Sequence, residues 1–143
     1  MDNMEKMIEA LRELQKNALN MYAYSHAAHW NVEGILFVQL HGFFKDVYED
    51  VHGSLDPISE NIRKSGAYAT FPQIVSVGTE TSPIALLLHL EYLNNLCIDS
   101  TRVLFAESNA LGEQAIANFA AERMDKHQFW AWWIKASLAS STL

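Results

Sequence analysis

The chain has one cysteine, three prolines and few positive charges. A lone Cys97 excludes an intrachain disulfide and a Cys-rich zinc or iron–sulfur site. It lies in the apolar run LLLHLEYLNNLCI, which marks it as a buried small hydrophobe. No apolar run approaches the ~20 residues that a membrane span needs. The start, MDNMEKMIEALRELQ, is acidic and amphipathic, unlike a signal peptide. A soluble, cytoplasmic protein is expected. With 10 Lys+Arg against 17 Asp+Glu, the net charge is −7. Such a surface repels DNA and anionic membranes and attracts cations. Gly-rich phosphate loops, Gly-x-Ser-x-Gly and His-Glu-x-x-His are all missing.

What is present is a globular composition: half the 143 residues are hydrophobic and 19% are charged. Four Trp, five Tyr and seven Phe imply a large core or a second buried surface supplied by other subunits. Apolar residues at helical spacing predict a first helix over residues 2–33, capped by Asp2 or Asn3 and stopped at Gly34. A second starts near Leu36, continues to Arg63 or Lys64 and ends at Gly66. Gly53 and Pro57 lie inside it, and an interior proline costs about 3 kcal/mol. A kink around residues 53–57 is expected, or a break with Asp56 recapping the helix. Residues 67–81 lack a helical period and read as a long crossover, with room for one helical turn. Ser82 and Pro83 then start a third helix that runs to about Ser108, and a fourth spans about Gly112 to Ser137. The fold class is therefore all-α, a ferritin-like four-helix bundle with a long crossover between helices 2 and 3. One domain accounts for residues 1–143.

A di-iron centre inside such a bundle needs two Glu-x-x-His pairs. This chain has one, Glu49 to His52; on the fourth helix Glu122 and Asp125 are i,i+3 but His127 falls on another face. An intrachain core centre is not expected. Ligand-type residues gather instead at the end of helix 1 and along helix 2. His26 and His29 are i,i+3, His41 follows Gly34 by seven residues, and Asp56 and Glu60 are i,i+4. Carboxylates one turn apart can chelate a hard cation, and a nearby imidazole suits iron or zinc. Each also has a plainer reading: packed core histidines, a helix cap at Asp56, a solvated charge at Glu60. His52, His89 and His127 read as structural or surface residues, and the aromatic run FWAWWIKASL as core and subunit packing.

The stretch HWNVEGILFVQLHGFFKDVYEDVHGSLDPISENIR resembles the signature of the Dps proteins, the DNA-protecting mini-ferritins. His29, Trp30, Asn31, Val32, Gly34, Phe37, Leu40, His41, Phe44, Tyr48, Asp56 and Glu60 fall at that family's spacings. Asn61 stands where the pattern has Arg. On the fourth helix, DKHQFWAWW is similar to the family's Glu-Lys-His-x-Trp segment, with Asp125 for Glu and Phe129 for Trp. The resemblance implies a ferroxidase centre shared across a two-fold interface, with His29 and His41 from one subunit and Asp56 and Glu60 from its mate. Iron(II) would be oxidised there by hydrogen peroxide and the ferric mineral stored in a hollow homododecamer. Trp30 would lie beside the centre, quenching radicals or simply packing.

A further departure falls on a position that ligates metal in the family. The family has Asp as a direct iron ligand four residues after the second histidine, where this chain has Lys45. The adjacent Asp46 points about 100° around the helix. A protonated ammonium donates and does not ligate. Either Lys45 pairs with Asp56 or Glu60 and leaves an impaired centre, a weak metal buffer or structural shell. Or it swings away and His29, His41, Asp56 and Glu60 hold metal, helped by Asp46, Glu49 or His52. The family's DNA binding is often carried by a Lys-rich tail, and neither MDNMEK nor KASLASSTL is one, so no direct DNA binding is expected.

Overall fold

The computed structural model describes residues 1–139; the last part of KASLASSTL lies outside them. Four helices make up its regular structure: α1 (Asn3–Asn31), α2 (Phe37–Lys64), α3 (Pro83–Ala110) and α4 (Gln114–Leu138). No strand occurs among the described residues. Asp2 caps α1 through a capping box: its carboxylate accepts from the Glu5 amide while the Glu5 side chain accepts from the Asp2 amide. Ser82 caps α3, with Pro83 in the first turn, where its missing N–H has no intrahelical partner to lose. Gly34 turns α1 into α2 with φ at +107°, a region that a side chain would strain.

Of the two outcomes expected around residues 53–57, a kink or a break, the break does not occur. The helix runs unbroken through Pro57, and Asp56 is an interior residue rather than a cap. The buried face, Val51, Ser54, Ile58 and Ile62, keeps its spacing of three and four across the proline. Packing of that face outweighs the intrinsic penalty. Pro57 deprives the Gly53 carbonyl of its donor, but Gly53 is exposed, so water can replace it.

α1 runs antiparallel to both α2 and α3. His29 meets His41 and Gln15 meets Ser59; Tyr24 meets His89 and Asn17 meets Ser100. α2 and α3 are consequently parallel, which requires the crossover over residues 65–82. That segment contains no helical turn beyond the bend at its start. Asn20 ties it down, accepting from the Val75 amide at 2.7 Å, and Arg12 donates to the Tyr68 carbonyl at 3.3 Å. Within the bundle, Met7, Leu11, Leu14, Met21, Phe44, Val47, Val51, Ile58, Leu90, Leu104 and Ile134 are fully buried. Each such side chain contributes roughly 1.5–3 kcal/mol. Cys97 is buried among them, and burial pushes its thiol up to about 12, as befits an inert hydrophobe.

α2 and α4 approach each other mainly through large side chains. Phe43 stacks on Trp133 at 3.6 Å between ring centroids. Beside them lies a buried polar network. Arg123 donates two hydrogen bonds to Asp50, at 2.9 and 3.0 Å, and the Trp130 indole donates a third. His127, with no exposed surface, donates from Nδ1 to Asn94 Oδ1, while the Asn94 amide donates to the His127 carbonyl. Nε2 of His127 then accepts from Arg123 at 3.2 Å. The FWAWWIKASL run is thus divided: Trp130 and Trp133 pack inward, whereas Phe129 and Trp132 face out.

Candidate metal centre

The helix ends at the Gly34 turn bring His29 and His41 together. Their rings stack with centroids 3.7 Å apart and 18° between planes. Nδ1 of His29 bonds the backbone carbonyl of His41 at 2.7 Å, and Nδ1 of His41 bonds that of His29 at 2.7 Å. A carbonyl only accepts, so both Nδ1 atoms carry protons. In the neutral rings both Nε2 atoms therefore hold a free lone pair, the form in which imidazole ligates a metal.

An aromatic column extends from this pair. His26 stacks on Tyr48 at 3.9 Å and 12°, and the Tyr22 hydroxyl lies 3.0 Å from His26 Nδ1. Burial, then the neighbouring His29 and His52, lower the His26 pKa. Trp30 is 66% exposed, with its ring 4.5 Å from that of His26.

Asp56 and Glu60 do not join the histidines within the chain. Both lie exposed on α2, about 22 and 28 Å along its axis from His41 at 1.5 Å per residue. Among the described residues no three His, Cys, Asp or Glu side chains form a group that could hold a metal. Lys45 points along its own helix, with Nζ 3.8 Å from Glu49, and both side chains are about half exposed.

Among the described residues, the polar groups of the bundle interior are engaged with one another. Its polar space is filled by the Asp50–Arg123–His127–Asn94 network, whose guanidinium repels a cation. Burial pushes the Asp50 carboxyl up, but the Arg123 hydrogen bonds and charge, with the Trp130 N–H, outweigh it and hold it below its ordinary value. Burial, then Arg123, push His127 down to about 3, so it stays neutral. Glu122 and Asp125 lie outside, on the exposed face of α4.

A family model described as the ferritin-like domain matches residues 8–141. The chain belongs to the ferritin-like family. Within that family it is similar to Dps proteins. This ferritin-like chain is 23% identical to a DNA protection during starvation protein of Helicobacter pylori, covering 94% of this chain and 99% of the relative. Among solved structures it is similar to Dps from Thermosynechococcus elongatus, with a TM-score of 0.90, 19% identity, and coverage of 98% of this chain and 94% of that one. Another is a Dps protein from Vibrio cholerae, described as one of a broad superfamily of ferritin-like diiron-carboxylate proteins. There the TM-score is 0.88 at 19% identity, over 95% of this chain and 91% of that one. No helix among the described residues of this ferritin-like chain is long and apolar enough to cross a membrane.

Proposed function

We propose that this chain is a cytoplasmic mini-ferritin of the Dps kind, which takes iron(II) as substrate, oxidises it with hydrogen peroxide and stores the ferric product within a homododecamer. The observation that carries this reading is the reciprocal bonding of the stacked His29 and His41, which leaves the Nε2 lone pair of each ring free. A dinuclear centre needs carboxylates as well. Asp56 and Glu60 are too far along α2 to serve their own histidines, so they would serve those of a second chain packed antiparallel across a two-fold axis. Imidazole and carboxylate together suit iron(II). Peroxide takes one electron from each of two iron(II) ions, and Trp30, exposed next to His29, would intercept radicals that escape this two-electron step. The acidic surface argues against direct DNA binding.

One observation favours the alternative, a cage with an impaired centre that buffers metal weakly or serves as a shell. Lys45 follows His41 by one turn and places an ammonium where a carboxylate would help hold a cation. Its contact with Glu49 rather than with the histidines supports the active reading. Anaerobic iron(II) titration followed by one peroxide pulse, read as ultraviolet absorbance, separates the two. Stoichiometric binding and rapid oxidation are expected from the wild type, with Lys45→Asp tighter still. Binding and oxidation seen only in Lys45→Asp would establish the impaired centre.

A further inference from the structure

The outer face of α2 carries the half-buried His41 and the exposed Lys45, Glu49, His52, Asp56 and Glu60, at spacings of 4, 4, 3, 4 and 4. That series reads the same in both directions. At 100° per residue the six fall within about 100° of arc. They lie on the side away from the buried Leu40, Val47, Val51 and Ile58. Two antiparallel copies of α2 related by a two-fold axis would therefore place His41 opposite the partner's Glu60 and Lys45 opposite the partner's Asp56. Glu49 would stand opposite the partner's His52. Every opposed pair joins an acid to a base, so the stripe is complementary to itself.

The proposed iron centre uses the outer members of this stripe and leaves the middle pair unassigned. Glu49 and His52 flank the symmetry point, each about 2 Å from it along the helix at 1.5 Å per residue. Both are exposed, and the His52 ring leans on Tyr22 with centroids 4.9 Å apart. They also form the chain's only Glu-x-x-His, a pair that puts both groups on one helix face. We propose that pairing of α2 creates a further divalent-cation site on the two-fold axis, built from Glu49 and His52 of both copies. The inference rests on the two-fold reading above.

Two imidazoles and two carboxylates are a four-ligand set suited to zinc(II) or cobalt(II). Two carboxylates also balance the charge of a divalent ion. Without an ion, each Glu49 faces the imidazole of the opposite copy across the axis. In one chain Glu49 is engaged by Lys45. That contact is 3.8 Å long and about half exposed, so a divalent ion can draw Glu49 away from it toward the axis. The ion would act as a clasp between subunits, separate from iron turnover at the outer sites.

The test is cobalt(II) titration of the full chain at neutral pH, read by the visible d–d bands. One cobalt per two chains is expected to persist in His41→Asn, which removes the iron centre. His52→Asn is expected to lose that cobalt, its affinity falling at least about 100-fold, more than loss of a group that only orients a ligand. Glu49→Gln should weaken it in the same direction. The positions are exposed, and circular dichroism would confirm that the variants fold. Disulfide formation between Glu49→Cys and His52→Cys chains checks the register, since the native Cys97 is buried. A protein that forms this cross-link but whose cobalt uptake is unchanged in His52→Asn would overturn the axial site alone. A chain that shows no two-fold association would overturn both readings.

Discussion

Acidification should destabilise this fold through His127, and the effect can be isolated. The imidazole has no exposed surface, and its pKa is pushed down to about 3 from the ordinary 6.5. Below pH 6.5 the unfolded chain binds a proton that the folded chain refuses. The contribution to stability is thus full above about pH 6.5 and is lost as pH falls toward 3. Each pH unit in that window costs about 1.4 kcal/mol, so moving from pH 6.5 to 5 costs about 2 kcal/mol. With a urea dependence on the order of 2 kcal/mol per M, the midpoint should fall by roughly 1 M. The comparison that isolates this residue is between the wild type and His127→Gln at fixed protein concentration. The substituted chain is expected to be less stable at pH 7 but to have a midpoint flatter with pH by about that 1 M. Parallel midpoints for the two chains between pH 7 and 5 would refute the assignment of His127 as a buried neutral group.

Two further outcomes follow from the same structure. Arg123→Met should cost about 3–5 kcal/mol, because it leaves the Asp50 carboxylate in a largely buried site without its cation; chemical unfolding at pH 7 measures the loss, and Asp50→Asn in the same background should recover part of it. Pro57→Ala should stabilise the chain by about 1 kcal/mol, since it restores a donor to the Gly53 carbonyl in a helix that is already continuous; thermal unfolding at fixed concentration reads it, and a lower Tm would show that the proline is adapted to its place.

Most of the bundle was legible because its punctuation is local. Asp2 with Glu5, Gly34, Gly66 and Ser82 with Pro83 mark helix ends by chemistry that operates within four residues. The break allowed for at Pro57 is absent for the complementary reason: the local penalty is real, but the buried face formed by Val51, Ser54, Ile58 and Ile62 is a tertiary property. The network of Asp50, Arg123 and His127 was missed as a unit because isolated charges are usually solvated. Helical phase carried a signal for it: Asp50 lies on the Val47–Val51–Ile58 side of α2, and Arg123 on the Ile116–Trp130–Ile134 side of α4. The pairing of His29 with His41 was legible only through resemblance, since seven residues after a glycine does not specify that two rings will stack. Asp56 and Glu60 were singled out by their i,i+4 spacing and by the same resemblance, and a single chain leaves them exposed and apart from the histidines.

The reciprocal bonds of His29 and His41 have an evolutionary consequence. Each ring is held by the main chain of the other residue, not by a neighbouring side chain. Every amino acid offers a carbonyl, so no third residue need be kept to hold the pair's tautomers. The surrounding sequence can drift while the rings stay locked.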